Sequence, residues 1–250
     1  VLFQPSFAQN PINLWEDVSL ESIVLPRGAD MSLAASRYRL LQLDVQRAES
    51  LLRRAPSEGA KTGELLFLLP LPEGGTETFR VVRSPVMAPE LGARYPQIQT
   101  FLAQGLQRPE LTARLDITPA GFHGAVVSPK GLFYIDPLAD GQRDFYSAYY
   151  TRDLQFPEGQ EIPHCGVTDA PLNLSRDLPE EATNRSAFNL RDAAEETVEL
   201  RTYRLALACT GEYGQAKGGN KTAVLASMVT SINRVNQIFE KETAIRLQLI

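Results

Sequence analysis

The residues best suited to chemistry in this chain are Pro163-His164-Cys165-Gly166-Val167-Thr168-Asp169, which hold one of its two cysteines. Proline fixes φ and biases the residue before it away from helix, and glycine lets a backbone approach a surface closely. The Cys165 thiol is therefore expected on an extended, sterically open stretch. As a thiolate it would bind zinc at about 2.3 Å. A catalytic zinc, however, needs three protein ligands and an open position. The chain has only His123 and His164, forty-one positions apart, with no His-Glu-x-x-His and no Cys-x-x-Cys. Cys165 thus reads as a single zinc ligand whose companions lie elsewhere, or as an incidental thiol in a loop.

The other reactive side chains read more plainly. His123, between Phe122 and Gly124 on an expected strand, is a structural histidine. His164 either helps hold the Cys165 loop or is a solvated loop histidine. Cys209, on an alternating segment, is a buried thiol or the disulfide partner of a cysteine beyond Ile250; a buried free cysteine behaves as a small apolar residue. Glu212 is a loop carboxylate. The sequons at Asn173, Asn184 and Asn220 matter only in a eukaryotic secretory context.

Periodicity places these residues on elements. Tyr203, Leu205, Leu207 and Cys209 alternate with smaller or polar residues, as in a strand, and Gly211, Gly214, Gly218 and Gly219 break it into a loop. Asn220 or Thr222 can cap a helix with an apolar stripe at Val224, Leu225, Met228, Val229, Ile232, Val235, Ile238 and Phe239. A second strand follows over residues 244–250. The expected unit is strand, crossover helix and parallel strand, right-handed. Upstream, strands are expected at 38–43, 111–118, 122–127 and 131–136, with a hairpin of 64–71 and 77–83 around Glu73-Gly74-Gly75. A short helix capped by Asp44 runs to Arg54, and residues 88–106 predict two short helices split at Pro96. Trp15 and Leu20 should pack a mixed segment onto this region, and Tyr146, Tyr149 and Tyr150 should close it. Residues 153–197, rich in Pro, Asp, Glu, Asn and Arg, read as an extended linker.

Two resemblances attach to these residues. The Cys165 run resembles the cysteine-switch motif of matrix metalloproteinase propeptides, with His164 where that family has arginine and Thr168 where it has proline. The segment from Tyr203-Arg204-Leu205-Ala206-Leu207 through Thr210-Gly211-Glu212-Tyr213 to residues 233–240 resembles the opening of secreted reprolysin-like (metzincin) zinc metallopeptidases. Residues 10–160 resemble them more loosely, through Asn13-Leu14-Trp15, Phe79-Arg80-Val81-Val82 and Gly121-Phe122-His123-Gly124. These likenesses imply an α+β chain in four parts. Residues 1–8 are a signal-peptide tail or tag remnant, 9–152 a β-rich prodomain with short helices, and 153–197 the linker with Cys165. Residues 198–250 are the first strand–helix–strand of an incomplete α/β metzincin-like domain.

The implied function is a precursor segment of a secreted, extracellular zinc metalloendopeptidase. Cys165 holds it latent on a zinc whose other ligands lie beyond Ile250, and the stretch is itself inactive. In the complete enzyme a metal-activated water would attack a peptide carbonyl. Its partners are protein or peptide substrates and an arginine-specific activating protease. Cutting at Arg185 or Arg191 would remove Cys165 from the mature enzyme. The different reading is an extracellular β-rich binding or adhesion module without activity. Composition fits either: 43% hydrophobic and 22% charged residues describe an ordinary globular chain. A net charge of −5 argues against nucleic acid as a partner, and no apolar run approaches the ~20 residues of a membrane span.

Overall fold

Strand after strand of this chain alternates a buried with a less buried residue, and the outcome is one large sheet. The computed structural model describes residues 11–25, 35–155 and 199–250. In it β1 (Trp15–Asp17), β2 (Arg39–Leu43), β3 (Leu65–Pro70), β4 (Thr76–Arg83), β5 (Gln99–Gly105), β6 (Thr112–Thr118), β7 (Gly121–Ser128), β8 (Gly131–Pro137) and β9 (Phe145–Tyr150) form a nine-stranded sheet. Its order is β1-β2-β9-β8-β7-β6-β5-β4-β3, and every neighbouring pair is antiparallel.

The sheet curls nearly into a barrel, and side chains close the gap between its two edge strands. The Trp15 indole N–H on β1 donates to the Leu68 carbonyl on β3 at 2.9 Å. Arg39 on β2 donates to the carbonyls of Leu71 at 2.9 Å and Gly75 at 2.6 Å, and is held by Asp17 at 2.6 Å. Alternate residues of all nine strands point inward, and Phe67, Phe79, Phe101, Leu115, Phe122, Phe133 and Tyr146 are fully buried there. Rings meet edge-on inside, as Trp15 with Phe122 at 5.6 Å and with Tyr146 at 5.5 Å, a favourable arrangement of aromatic quadrupoles. Helix α1 (Val45–Leu52), capped by Asp44 through the Arg47 N–H, adds Val45, Ala48 and Leu52 to this core. Gly121 starts β7 with φ 126°, where a side chain would meet the Tyr146 hydroxyl and Pro137 at 3.1 Å.

Outside the barrel lie β10 (Arg201–Leu205), α3 (Gly211–Ala216), α4 (Lys221–Thr243) and β11 (Ile245–Leu249). β10 and β11 pair in parallel, and Ala244 turns the chain between α4 and β11 in the left-handed region at φ 53°. The described residues up to Gln155 and from Leu200 onward belong to one compact unit. A small apolar core of Val86, Met87, Ile98, Ala226, Val229, Ile232 and Leu249 ties this flap to the segment 86–98, which carries the short helix α2 (Pro89–Arg94). Leu249 donates to the Val86 carbonyl at 2.8 Å and accepts from the Ala88 N–H at 2.7 Å.

The fold differs from the α+β expectation of a β-rich prodomain followed by an α/β metzincin-like opening. The architecture is one nearly closed antiparallel sheet with few helices, and the strand–helix–strand is a flap upon it. Four local readings change with it. Residues 99–105 are a strand rather than a second short helix, because β4 and β6 supply ladders on both sides and tertiary pairing overrides weak propensity. Tyr146 to Tyr150 lie on a full strand between β2 and β8. Leu20 is half exposed rather than packed, and residues 211–216 form α3 where glycines predicted a loop. Among the described residues no helix is long and apolar enough to cross a membrane.

The closure makes a direct prediction. Trp15→Phe keeps a ring in the core but strips the Leu68 carbonyl of its donor. Urea denaturation should show a loss of about 1–3 kcal/mol. An unchanged midpoint would mean that the indole does not help to close the sheet.

Candidate functional site

β6 reads Thr112-Ala113-Arg114-Leu115-Asp116-Ile117-Thr118, with apolar residues inward and polar ones outward. Such alternation ordinarily marks a sheet with one solvated face. Here both faces are covered: Arg114 and Asp116 are each 1% exposed, and Thr118 is 2% exposed. The cover is α4, and the face it turns to the sheet is polar. Thr230, Asn233, Arg234, Gln237 and Glu240 recur at three- and four-residue spacing and so share one side of the helix.

Each of these side chains finds a matching group on the barrel. The Thr230 hydroxyl donates to Asp116 Oδ1 at 2.8 Å. Asn233 Nδ2 donates to the Leu115 carbonyl at 3.0 Å and Asp116 Oδ2 at 3.4 Å. Gln237 Nε2 donates to the Thr112 carbonyl at 3.1 Å and hydroxyl at 3.0 Å. Arg234 pairs with Asp136 and stacks over the Tyr134 ring, 4.3 Å from its centroid. Asn236, fully buried, faces β11 instead and exchanges hydrogen bonds with the Leu247 backbone at 2.8 and 2.9 Å.

Arg114 sits within a closed ring of five side chains. It donates to the Ser84 hydroxyl at 2.9 Å and pairs with Glu240. Glu240 also pairs with Arg246, which donates to both Glu58 oxygens at 2.7 and 2.9 Å. The Ser84 hydroxyl donates to Glu58 Oε2 at 2.9 Å and completes the circuit. Two guanidinium and two carboxylate groups leave the ring neutral. Burial pulls the Arg114 pKa below its ordinary value against the support of Glu240, but a guanidinium stays protonated in proteins. For Arg246 burial also opposes the charge, yet its bonds to Glu58 and Glu240 prevail and raise its pKa. The hydrogen bond from Arg246 leads in holding the Glu58 carboxyl below the usual carboxylate range, against burial.

A second cluster borders a cleft of about 790 Å³ between the barrel and helices α3 and α4, lined among others by Thr118, His123, Asp136, Ser147, Tyr213 and Arg234. β6, β7, β8 and β9 carry Asp116, His123, Asp136 and Ser147 in one row across the sheet. His123 Nδ1 lies 3.0 Å from Asp116 Oδ1; against an ionised carboxylate that nitrogen carries the proton. The Tyr149 hydroxyl donates to Asp136 Oδ2 at 2.8 Å, and burial raises the Tyr149 pKa. A carboxylate–imidazole pair is one part of a nucleophilic triad, but no hydroxyl or thiol among the described residues bonds to His123. The polar atoms here face one another across α4 and the sheet, an arrangement suited to holding two surfaces together.

Cys165, His164, Arg185 and Arg191 lie outside the described residues. Cys209 is exposed and free rather than buried on a strand. Glu212 sits in the first turn of α3, its carboxyl held low by backbone and Thr210 hydrogen bonds. Among the described residues no three His, Cys, Asp or Glu side chains converge as metal ligands. The bond to Asp116 leaves His123 Nε2 open, as in a carboxylate-oriented metal ligand, but one nitrogen without companion ligands does not make a zinc site. The ring of Glu58, Arg114, Glu240 and Arg246 escaped sequence reasoning, since alternate charges on β6 read as a solvated face. The available signal was the equally polar stripe from Thr230 to Glu240. Compared with family models, curated proteins and solved structures, the chain shows no significant match in any of the three.

His123 gives the site a pH signature. Burial disfavours the charged ring, but the charge and hydrogen bond of Asp116, helped by Asp136, outweigh it and raise the pKa above 6.5. The stability this contributes is complete below about 6.5 and is lost as pH rises through the higher folded value. His123→Gln should therefore flatten that limb of the stability profile, and an NMR titration should place His123 above 6.5. A midpoint at or below 6.5 would show that Asp116 does not govern the ring.

Proposed function

We propose that the chain is the latency-bearing segment of a secreted zinc metalloendopeptidase precursor. In this reading the barrel is a clamp, the flap from Leu200 onward is the segment it grips, and Cys165 lies on the connection between them. The observation that carries the reading is the polar lock of α4 on β6. The barrel interior is filled by its own aromatic and aliphatic side chains, leaving the outer face as the working surface. The lock supports a holding role, and the resemblance of the Cys165 run supplies the chemistry. Thiolate is a strong zinc ligand, and a thiolate at the open position of a zinc held by groups outside the described residues excludes water from it. Cutting at Arg185 or Arg191 would separate Cys165 from the gripped segment. The cleft beside His123 favours a second reading, an extracellular binding module in which Cys165 is incidental.

Cys165→Ser in the full-length precursor tests the first reading. Peptidase activity should rise before any processing, because serine is a far weaker zinc ligand. In the wild-type precursor a thiol reagent should label Cys209 readily and Cys165 slowly, with Cys165 becoming reactive once the metal is chelated. Unchanged latency and equal labelling in a metal-loaded precursor would leave the binding module as the better account.

A further inference from the structure

We propose that the outer face of β6 to β8 is a separable docking surface for the 199–250 flap, so that cutting the chain between residues 156 and 198 leaves the two pieces bound. This inference uses the interface alone and stands whether or not the chain belongs to a peptidase precursor. No flap strand enters the nine-stranded ladder; β10 and β11 pair with each other. The barrel therefore keeps every strand pairing of its own without the flap. Besides the single backbone bridge of Leu249 to Val86 and Ala88, what joins them is an alternation of opposite charges, each pair with one member on either side: Arg114 with Glu240, Glu58 with Arg246, and Asp136 with Arg234. Hydrogen bonds from Thr230, Asn233 and Gln237 and the apolar patch of Val86, Met87 and Ile98 against Ala226, Val229, Ile232 and Leu249 complete it. An apolar patch beside complementary hydrogen-bonded charges is the anatomy of a protein–protein interface, and complementary charges also fix its register.

The consequence is regulatory: cleavage at Arg185 or Arg191 severs the chain without releasing the barrel. Release then requires a second event, such as further proteolysis of the barrel or a competing partner for α4. The same surface would accept a flap from another copy of the chain once its own has left.

The test uses the full chain with a site-specific protease sequence inserted between Leu178 and Pro179. After complete cutting, size exclusion near neutral pH should return both pieces in one peak. Titrating the cut material by dilution should show Arg234→Gln weakening the association by about 10-fold. Val229→Asp, which puts a charge into the apolar patch, should separate the pieces. Circular dichroism of the uncut variants confirms that each folds. Separation of the wild-type pieces, with the barrel still folded, would overturn the proposal. So would a cut complex that neither substitution weakens.

Discussion

A guanidinium that is 1% exposed imposes the constraint on which the rest of this structure depends. Arg114 points outward from β6, an interior strand of a barrel-like sheet, where water would ordinarily solvate it. Covering it costs several kcal/mol unless an anion and further acceptors are supplied. Glu240 supplies the charge and Ser84 an acceptor, and Glu240 reaches Arg114 only when α4 lies against β6. The position of the helix, and with it the whole flap, follows from that requirement.

The inner and outer faces of the same strands do different work. Inside, aliphatic and aromatic side chains exclude water and stabilise the sheet without specifying what lies beyond it. Outside, the rows at Arg114 and Asp116 specify a partner through charge sign and hydrogen-bond direction. Removing one member of such a buried pair is strongly destabilising, while replacing both by apolar groups is often close to neutral. The outer rows therefore select the helix more than they add net stability. His123 extends the selection toward the cleft, where the ionisation of one ring changes the local charge balance beside Asp116, Asp136 and Arg234.

Much of the strand content was legible because period-two alternation is a local property. The strands at 39–43, 112–118, 121–128 and 131–137, and the hairpin of 65–70 with 76–83, lie close to where their patterns put them. Helix α4 announced itself through its cap at Asn220 and its apolar stripe. What local patterns could not convey was closure. Trp15 meets Leu68 fifty-three positions away, and β9 becomes a strand only by lying between β2 and β8. The polar seam was hidden for the same reason. Arg114 and Glu240 are 126 positions apart, and each alone resembles a residue facing solvent. The α+β expectation failed at that point, since a helix with a polar face reads as a surface element of its own domain.

A double-mutant cycle on Arg114 and Glu240 tests this account most directly. Arg114→Met and Glu240→Leu are made singly and together, and unfolding free energies are compared under matched conditions. Each single change leaves the ring of Arg114, Glu240, Arg246 and Glu58 with one unbalanced buried charge, whereas the double change leaves Arg246 paired with Glu58 and the site neutral. The double variant should therefore be more stable than the two losses summed, with a coupling of about 2 kcal/mol or more. Losses that add to within about 0.5 kcal/mol would contradict the account, because α4 would then be held to the barrel by something other than this pair.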